Sequence, residues 1–234
     1  KPAIHGVDKV ILWAPNKTLS SINNFSWLIK KTSPLLDKNF INRLFWQVFE
    51  LEKQLKHNDC DILFVPGGSF FHGYKPVVTM SQNLLPFEFY ELMRYGFSTT
   101  TLRLLLLRIM QSSSFKKSDG IIFLTEFAKK RVLSQVSNLN AKIKIISHGL
   151  DKRFFNNARK YLPINNYSFK KPLNIIYVSS IDPYKHHSNI IKAISILRDK
   201  GYPIFLNLIG SGNKKYLTGL NKEINKCNDY VNHY

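Results

Sequence analysis

Seven short apolar runs punctuate the chain: KVILWA (9–14), DILFVP (61–66), PVVTM (76–80), GIIFLT (120–125), KIKIIS (142–147), LNIIYVSS (173–180) and IFLNLIG (204–210). They are rich in Ile, Val, Leu and Phe and mostly continuous, the pattern of strands buried on both faces. Between them the spacing predicts helices over 40–57, 99–117, 126–137 and 187–200, the last with Ile190, Ile191, Ile194 and Leu197 along one stripe. Strands alternating with helices imply right-handed crossovers and a parallel, doubly wound α/β sheet.

The rhythm breaks at RFFNNARKYLPINNYSFKKP (153–172), a stretch of Asn, Lys, aromatics and two prolines with no period. It reads as a linker. A first Rossmann-like domain is expected over 1–152 and a second over 173–234. The second has two clear strands and two helices before the chain stops, too little for a complete doubly wound domain. The first begins abruptly before a strand. Both features suggest an internal piece of a longer protein, its second domain truncated.

Composition narrows the function classes. Hydrophobic residues make up 44% of the chain, enough for a core and against disorder. No run nears the ~18 apolar residues of a spanning helix; TTLRLLLLRIM is broken by Arg103 and Arg108. Two distant cysteines, Cys60 and Cys227, fit a reducing compartment without a disulfide framework. The net charge of +19 is spread along the chain: 20 Lys and Arg against 10 Asp and Glu up to Leu150, 14 against 5 after it. A nucleic-acid binder more often concentrates its charge in one stripe with interleaved aromatics, so none is expected as a partner. A diffuse excess fits anionic lipid or phosphorylated substrates, and equally a bias toward solvated lysines.

Chemistry is most readily placed where strands run into loops. In FVPGGSFFHG, Gly67 and Gly68 permit a sharp turn at a strand's C-terminal end, where open α/β sheets place ligands; a purely structural turn fits as well. In LIGSGNKKY, Gly210 and Gly212 precede a helix expected to start near Asn213, whose free N–H groups suit an anion, although no third glycine completes a dinucleotide fingerprint. In VSSIDPYKHH, Asp182–Pro183 favours a turn, leaving Lys185 between strand end and helix start, where an ammonium can reach a phosphate. His186 and His187 point apart as neighbours and lack companions at ligand spacing, so no metal site is expected. After the strand ending at Met80 comes a polar triplet, Ser81, Gln82 and Asn83, followed by a helix start at Pro86 with Glu88 and Glu91 in its early turns. Three hydrophilic residues there suit a cleft. GxSxG, HExxH, P-loop and DxD patterns are missing, which removes most support for hydrolase, protease and kinase readings.

Taken together, VPGG, PVVTMSQNLLPFE, DGIIFLTEFAKKRV, KIKIISHGLDKRFF and NIIYVSSIDPYKHHSNIIKAISILRDKGYPIFLNLIGSG resemble, in order and spacing, the GT4-type glycosyltransferases. The resemblance spans nearly the whole chain and lies toward bacterial enzymes of O-antigen and capsule synthesis. It implies the GT-B fold of two Rossmann-like domains. Lys185 matches the lysine on the donor's diphosphate, and Gly210 and Gly212 match the loop near the nucleotide. The Ser81–Asn83 turn matches the loop facing the donor sugar, and His148–Gly149 a loop bordering the cleft. The implied chemistry is retaining and metal-independent, with a nucleoside-diphosphate sugar as co-substrate, no further cofactor, and a glycan or lipid-linked acceptor at the inner face of the plasma membrane.

Three departures stand against the pattern. Ser180 occupies a position where the family often has arginine, Ser81 or Gln82 one where it often has histidine, and the E-x7-E carboxylate pair is not in the chain, so no catalytic residue is assigned. A degenerate, non-catalytic domain that binds nucleotide or glycan is the alternative expectation.

Overall fold

The computed structural model describes residues 5–158, 162–227 and 229–234; residues 159–161, inside the expected linker, lie outside the described set. The chain divides into two units, one of residues 1–87 and 105–148, the other of 88–104 and 149–234.

The first unit opens with β1 (Val10–Trp13), the short helix α1 (Asn16–Ser20) and β2 (Leu28–Lys31), the two strands pairing in parallel. A continuous helical stretch follows: α2 (Phe40–Phe45), a π-helical turn (Trp46–Glu50) and α3 (Leu51–His57). Its start is fixed by Asn39, whose side chain accepts a hydrogen bond from the Asn42 N–H at 3.1 Å. Four further strands, β3 (Leu63–Val65), β4 (Val77–Ser81), β5 (Gly120–Phe123) and β6 (Lys142–Ile145), form a parallel sheet in chain order. The β4–β5 crossover carries α4 (Phe89–Met93) and α5 (Thr99–Lys117), and the β5–β6 crossover carries α6 (Glu126–Leu133). Thr125 caps α6 by accepting from the Ala128 N–H at 3.1 Å, which turns Ala128 and Val132 onto Phe87, Phe115, Ile121 and Phe123. At the start of the sheet, Asp119 accepts from the Val77 N–H at 2.8 Å and sits 3.2 Å from Lys75 Nζ. The Val77 bond holds its carboxyl below the ordinary aspartate range.

In the second unit β7 (Leu173–Val178), α7 (His187–Asp199), β8 (Ile204–Ile209), α8 (Lys214–Ile224) and β9 (Val231–His233) wind into a three-stranded parallel sheet ordered β7-β8-β9. The expected stripe on α7 is the one that packs: Ile191 and Ile194 are buried with Leu206, Leu208, Leu220 and Val231, while Ile190 and Leu197 lie against them. Fully burying each such side chain contributes about 1.5–3 kcal/mol.

In the second unit two expectations need correction. The second unit has three strands where the sequence showed two, because VNH (231–233) is too short to register as an apolar run. Nor are all the continuous runs covered on both sides. In β7 burial alternates along the strand, and Ile176 and Val178 are 61% and 70% exposed.

Candidate functional site

The C-terminal ends of β7 and β8 place two loops side by side. The first runs from Ser179 to Asp182 and the second from Gly210 to Asn213. They are joined by a parallel bridge between Ile181 and Gly212, and by hydrogen bonds from Ser179 N to Ile209 O (3.0 Å) and Ile181 N to Ser211 O (2.9 Å). The approach depends on missing side chains: a Cβ on Gly210 would collide with the Ser179 carbonyl, and one on Gly212 with the Ile181 carbonyl. Gly210, at φ +150°, is also committed through its polar groups, its N–H to Tyr234 O (3.1 Å) and its carbonyl to His233 Nε2 (2.7 Å). These glycines hold loops together; Gly210 has neither backbone group free for a phosphate.

The two helices leaving these loops start differently. α8 is closed by Asn213, whose side chain accepts from the Lys215 N–H at 3.0 Å. α7 has no side-chain cap. It begins after a turn of 3-10 helix (Pro183–Lys185) at His186, which is left-handed at φ +56°. Its first intrahelical bonds run from Asn189 and Ile190 to the His186 carbonyl, so the N–H groups of His187 and Ser188 precede them. The helix dipole thus ends in an open N-terminus.

Beside that N-terminus lies a cavity of about 470 Å³, lined by Ile181, Asp182, His186, His187, Arg94 and Tyr216 among others. Tyr95 donates its hydroxyl hydrogen to Asp182, and burial together with that bond pushes the phenol far above its ordinary range. Glu91 Oε2 lies 2.7 Å from Arg94 Nε and 3.4 Å from His186 Nε2. Ser188 donates to Glu223 at 3.0 Å. His187 is buried with both ring nitrogens unpartnered, and burial, then His233 and Lys185, hold it neutral below the ordinary histidine value. Lys185 is outside the cavity lining, its ammonium 4.7 Å from the Tyr184 ring centroid and its carbonyl accepting from Tyr177 at 3.0 Å. Ser180 is exposed.

In the first unit the expected site residues part ways. Gly67 is exposed with open space around it, whereas Gly68, at φ +74°, faces the Gln111 amide and the Met80 carbonyl. Ser81 ends β4 opposite Phe123 and is buried, its hydroxyl unpartnered. Gln82 is exposed and approaches Met80 Sδ at 3.2 Å, and Asn83 accepts from the Leu85 N–H at 3.1 Å, stabilising the 3-10 turn Leu85–Phe87. His148 closes the first unit and Gly149 opens the second stretch of the other; both are exposed. Sequence reasoning missed Gln111, which is buried in α5 with its carbonyl oxygen unpartnered. A glutamine in an apolar helix was the available signal. Arg94, Tyr95 and Tyr216 carried none, since they reach the cavity through contacts distant in sequence. Among the described residues no cluster of His, Cys, Asp and Glu could hold a metal ion.

No protein-family model and no curated protein matches the sequence. Solved structures do. TarM of S. aureus is 18% identical with a TM-score of 0.52, over 85% of this chain and 37% of that one. HepE of Anabaena, crystallised in complex with UDP and glucose, is 14% identical with a TM-score of 0.50, over 88% of this chain and 55% of that one. The chain therefore spans between a third and a little over half of the length of these neighbours. What it shares with them is the fold: Rossmann-like parallel α/β units of the GT-B type.

Proposed function

We propose that the chain belongs to a glycosyltransferase that takes a sugar from a nucleoside-diphosphate donor and passes it to a growing, lipid-linked glycan, with retention of configuration and without a metal. The observation that carries this reading is the open N-terminus of α7 at the C-terminal edge of the β7–β8 sheet, with Lys185 immediately before it and a cavity of about 470 Å³ beside it. A diphosphate at that terminus would accept from the first-turn N–H groups and meet the Lys185 ammonium. As the sugar leaves, negative charge grows on the diphosphate, and a charge-assisted hydrogen bond there is worth about 1.5–3 kcal/mol. HepE, with the same fold, binds UDP and glucose, which supports a uridine nucleotide as the first donor to try.

The test is calorimetry against UDP-, GDP- and dTDP-sugars. Lys185→Ala should weaken whichever donor binds by at least tenfold, and undiminished affinity removes Lys185 from the site. Ser180 is proposed beside Lys185 at the donor's diphosphate, and Gln82, Asn83, His148 and Gly149 at the cleft that takes the donor sugar or the acceptor. A cytoplasmic location, peripheral to the inner face of the plasma membrane, is part of the same proposal.

A further inference from the structure

The first residue of α7 carries a buried imidazole that makes no hydrogen bond. His187 is 4% exposed, and neither Nδ1 nor Nε2 has a partner. A neutral imidazole offers one donor and one acceptor, and buried polar groups rarely leave both unused. The ring meets Tyr177 of β7 edge-on, with centroids 5.1 Å apart, and so packs as a phenyl ring would. A phenylalanine could fill that space without orphaned nitrogens. What it could not do is take up a proton.

In the free protein the surroundings favour the neutral ring. Burial, then His233 of β9, then the Lys185 ammonium hold it below the ordinary histidine value. The open N-terminus of α7, the positive end of the helix dipole, acts in the same direction. The acids that line the adjoining cavity are engaged elsewhere: Asp182 accepts from Tyr95, and Glu223 of α8 from Ser188 at 3.0 Å. Arg94, the arginine of the lining, is held by Glu91 at 2.7 Å, and Glu91 also faces His186 at 3.4 Å. Tyr216 of α8 adds a phenol. Two acids and one paired arginine leave this cavity short of positive charge for a phosphate.

An anion seated on the N–H groups of His187 and Ser188 reverses the balance. Covalent geometry keeps the imidazole within a few ångström of its own backbone N–H, where negative charge favours imidazolium. We propose that an anion bound at the α7 N-terminus draws a proton from solvent onto His187, so that the imidazolium becomes a second cation of the site beside Lys185. The inference rests on the reading of that terminus as the diphosphate site. It adds a residue whose charge is supplied by binding, and a direction: the ligand is held more tightly as pH falls. In the proposed transfer the same charge would meet the leaving diphosphate.

NMR titration of the imidazoles tests this with two probes, inorganic sulfate and UDP-glucose, both of constant charge between about pH 5 and pH 8. The His187 signals are assigned by their loss in His187→Phe. Either bound probe should make His187 hold its proton about tenfold more tightly or more. Calorimetry in buffers of different ionisation enthalpy should show proton uptake on binding UDP-glucose, with affinity rising several-fold from about pH 7.5 to about pH 5.5. His187→Phe should lose that rise; should the variant fold poorly, the wild-type ring titration decides alone. UDP-glucose that binds without moving the His187 titration overturns the proposal and leaves the donor reading standing. A titration moved by sulfate, with UDP-glucose binding at no pH, does the reverse. A rise that persists in His187→Phe and vanishes in His186→Gly assigns the proton to His186 and overturns the proposal. A titration unmoved by saturating amounts of either probe, with no heat of binding, removes both readings.

Discussion

Two glycine pairs follow strands in this chain, and they do opposite work. After β8, Gly210 and Gly212 let one loop lie backbone against backbone on another, where neither position has room for a Cβ. After β3, Gly67 has nothing near it, and Gly68 meets a flexible glutamine amide as well as a carbonyl. The first pair is a structural clamp at the edge of the proposed donor site. The second is a turn with one obligatory member. Strand-end glycines therefore carry no fixed meaning, and what touches them decides whether they shape a ligand site or hold two loops together. The largest expected effect breaks the comparison directly. Gly210→Ala or Gly212→Ala should cost about 3 kcal/mol or more, because a backbone carbonyl must move, and should leave little soluble protein. Gly68→Ala, strained at positive φ and close to the Met80 carbonyl as well as to a yielding glutamine amide, should cost about 1–2 kcal/mol. Gly67→Ala should stay within about 0.5 kcal/mol. Urea unfolding of the four variants ranks them, and a destabilised Gly67→Ala beside an unaffected Gly212→Ala would invert the assignment.

The contrast also shows which features were legible in the sequence. The helices over 40–57, 99–117 and 187–200 and the strands they connect could be read because periodicity and apolar runs are local properties. The GxG of LIGSGN could be read only as a weak anion signal, since its partners, Ser179 and Ile181, lie some thirty residues earlier. β2 was missed because WLIKK ends in two lysines, and Lys31 is retained in the fold by a hydrogen bond from its ammonium to Asn58, which no pattern records. Lys185 was placed at the strand-to-helix junction from the turn signal alone. The cavity beside it was not foreseen, because Arg94 and Tyr216 come from other segments. Weak or short apolar runs hid β2 and β9, whereas distance in sequence hid the partners of the glycines and the lining of the cavity.

Each strand-end region also buries one imidazole, and pH should distinguish them. His72, in the loop after β3, accepts from Tyr74 N–H at 3.3 Å and leaves Nε2 without a partner; burial lowers its pKa while Glu52 partly opposes the shift. His187 at the start of α7 is lowered by burial and then further by His233 and Lys185. A folded-state pKa held below the ordinary value of about 6.5 means that the unfolded chain takes up the proton first. The stability that each neutral imidazole contributes is therefore complete above about pH 6.5 and drains away as pH falls below it. Melting temperature should drop between pH 7 and pH 5. His187→Phe should flatten that dependence more than His72→Phe, because only His187 has cationic neighbours. Equal slopes in wild type and both variants would mean that neither imidazole is held neutral.

The smallest effect sharpens the comparison within the second unit, between the two helices that leave the β7 and β8 loops. α8 is closed by Asn213, and α7 is left open behind a left-handed His186. Asn213→Ala removes a cap and should cost about 1 kcal/mol, without touching a terminus proposed to meet the donor. His186→Gly should do the reverse. It relieves a non-glycine residue at φ +56°, worth about 1 kcal/mol, less whatever the 3.4 Å contact with Glu91 returns. The net gain should therefore fall below about 1 kcal/mol. The open N-terminus of α7 would survive this substitution, because its free N–H groups belong to His187 and Ser188. A His186→Gly variant that is slightly more stable and binds donor as wild type does would show that the strain at His186 serves the turn alone. A variant more stable but unable to bind donor would show that the imidazole, together with Glu91 and Arg94, belongs to the site.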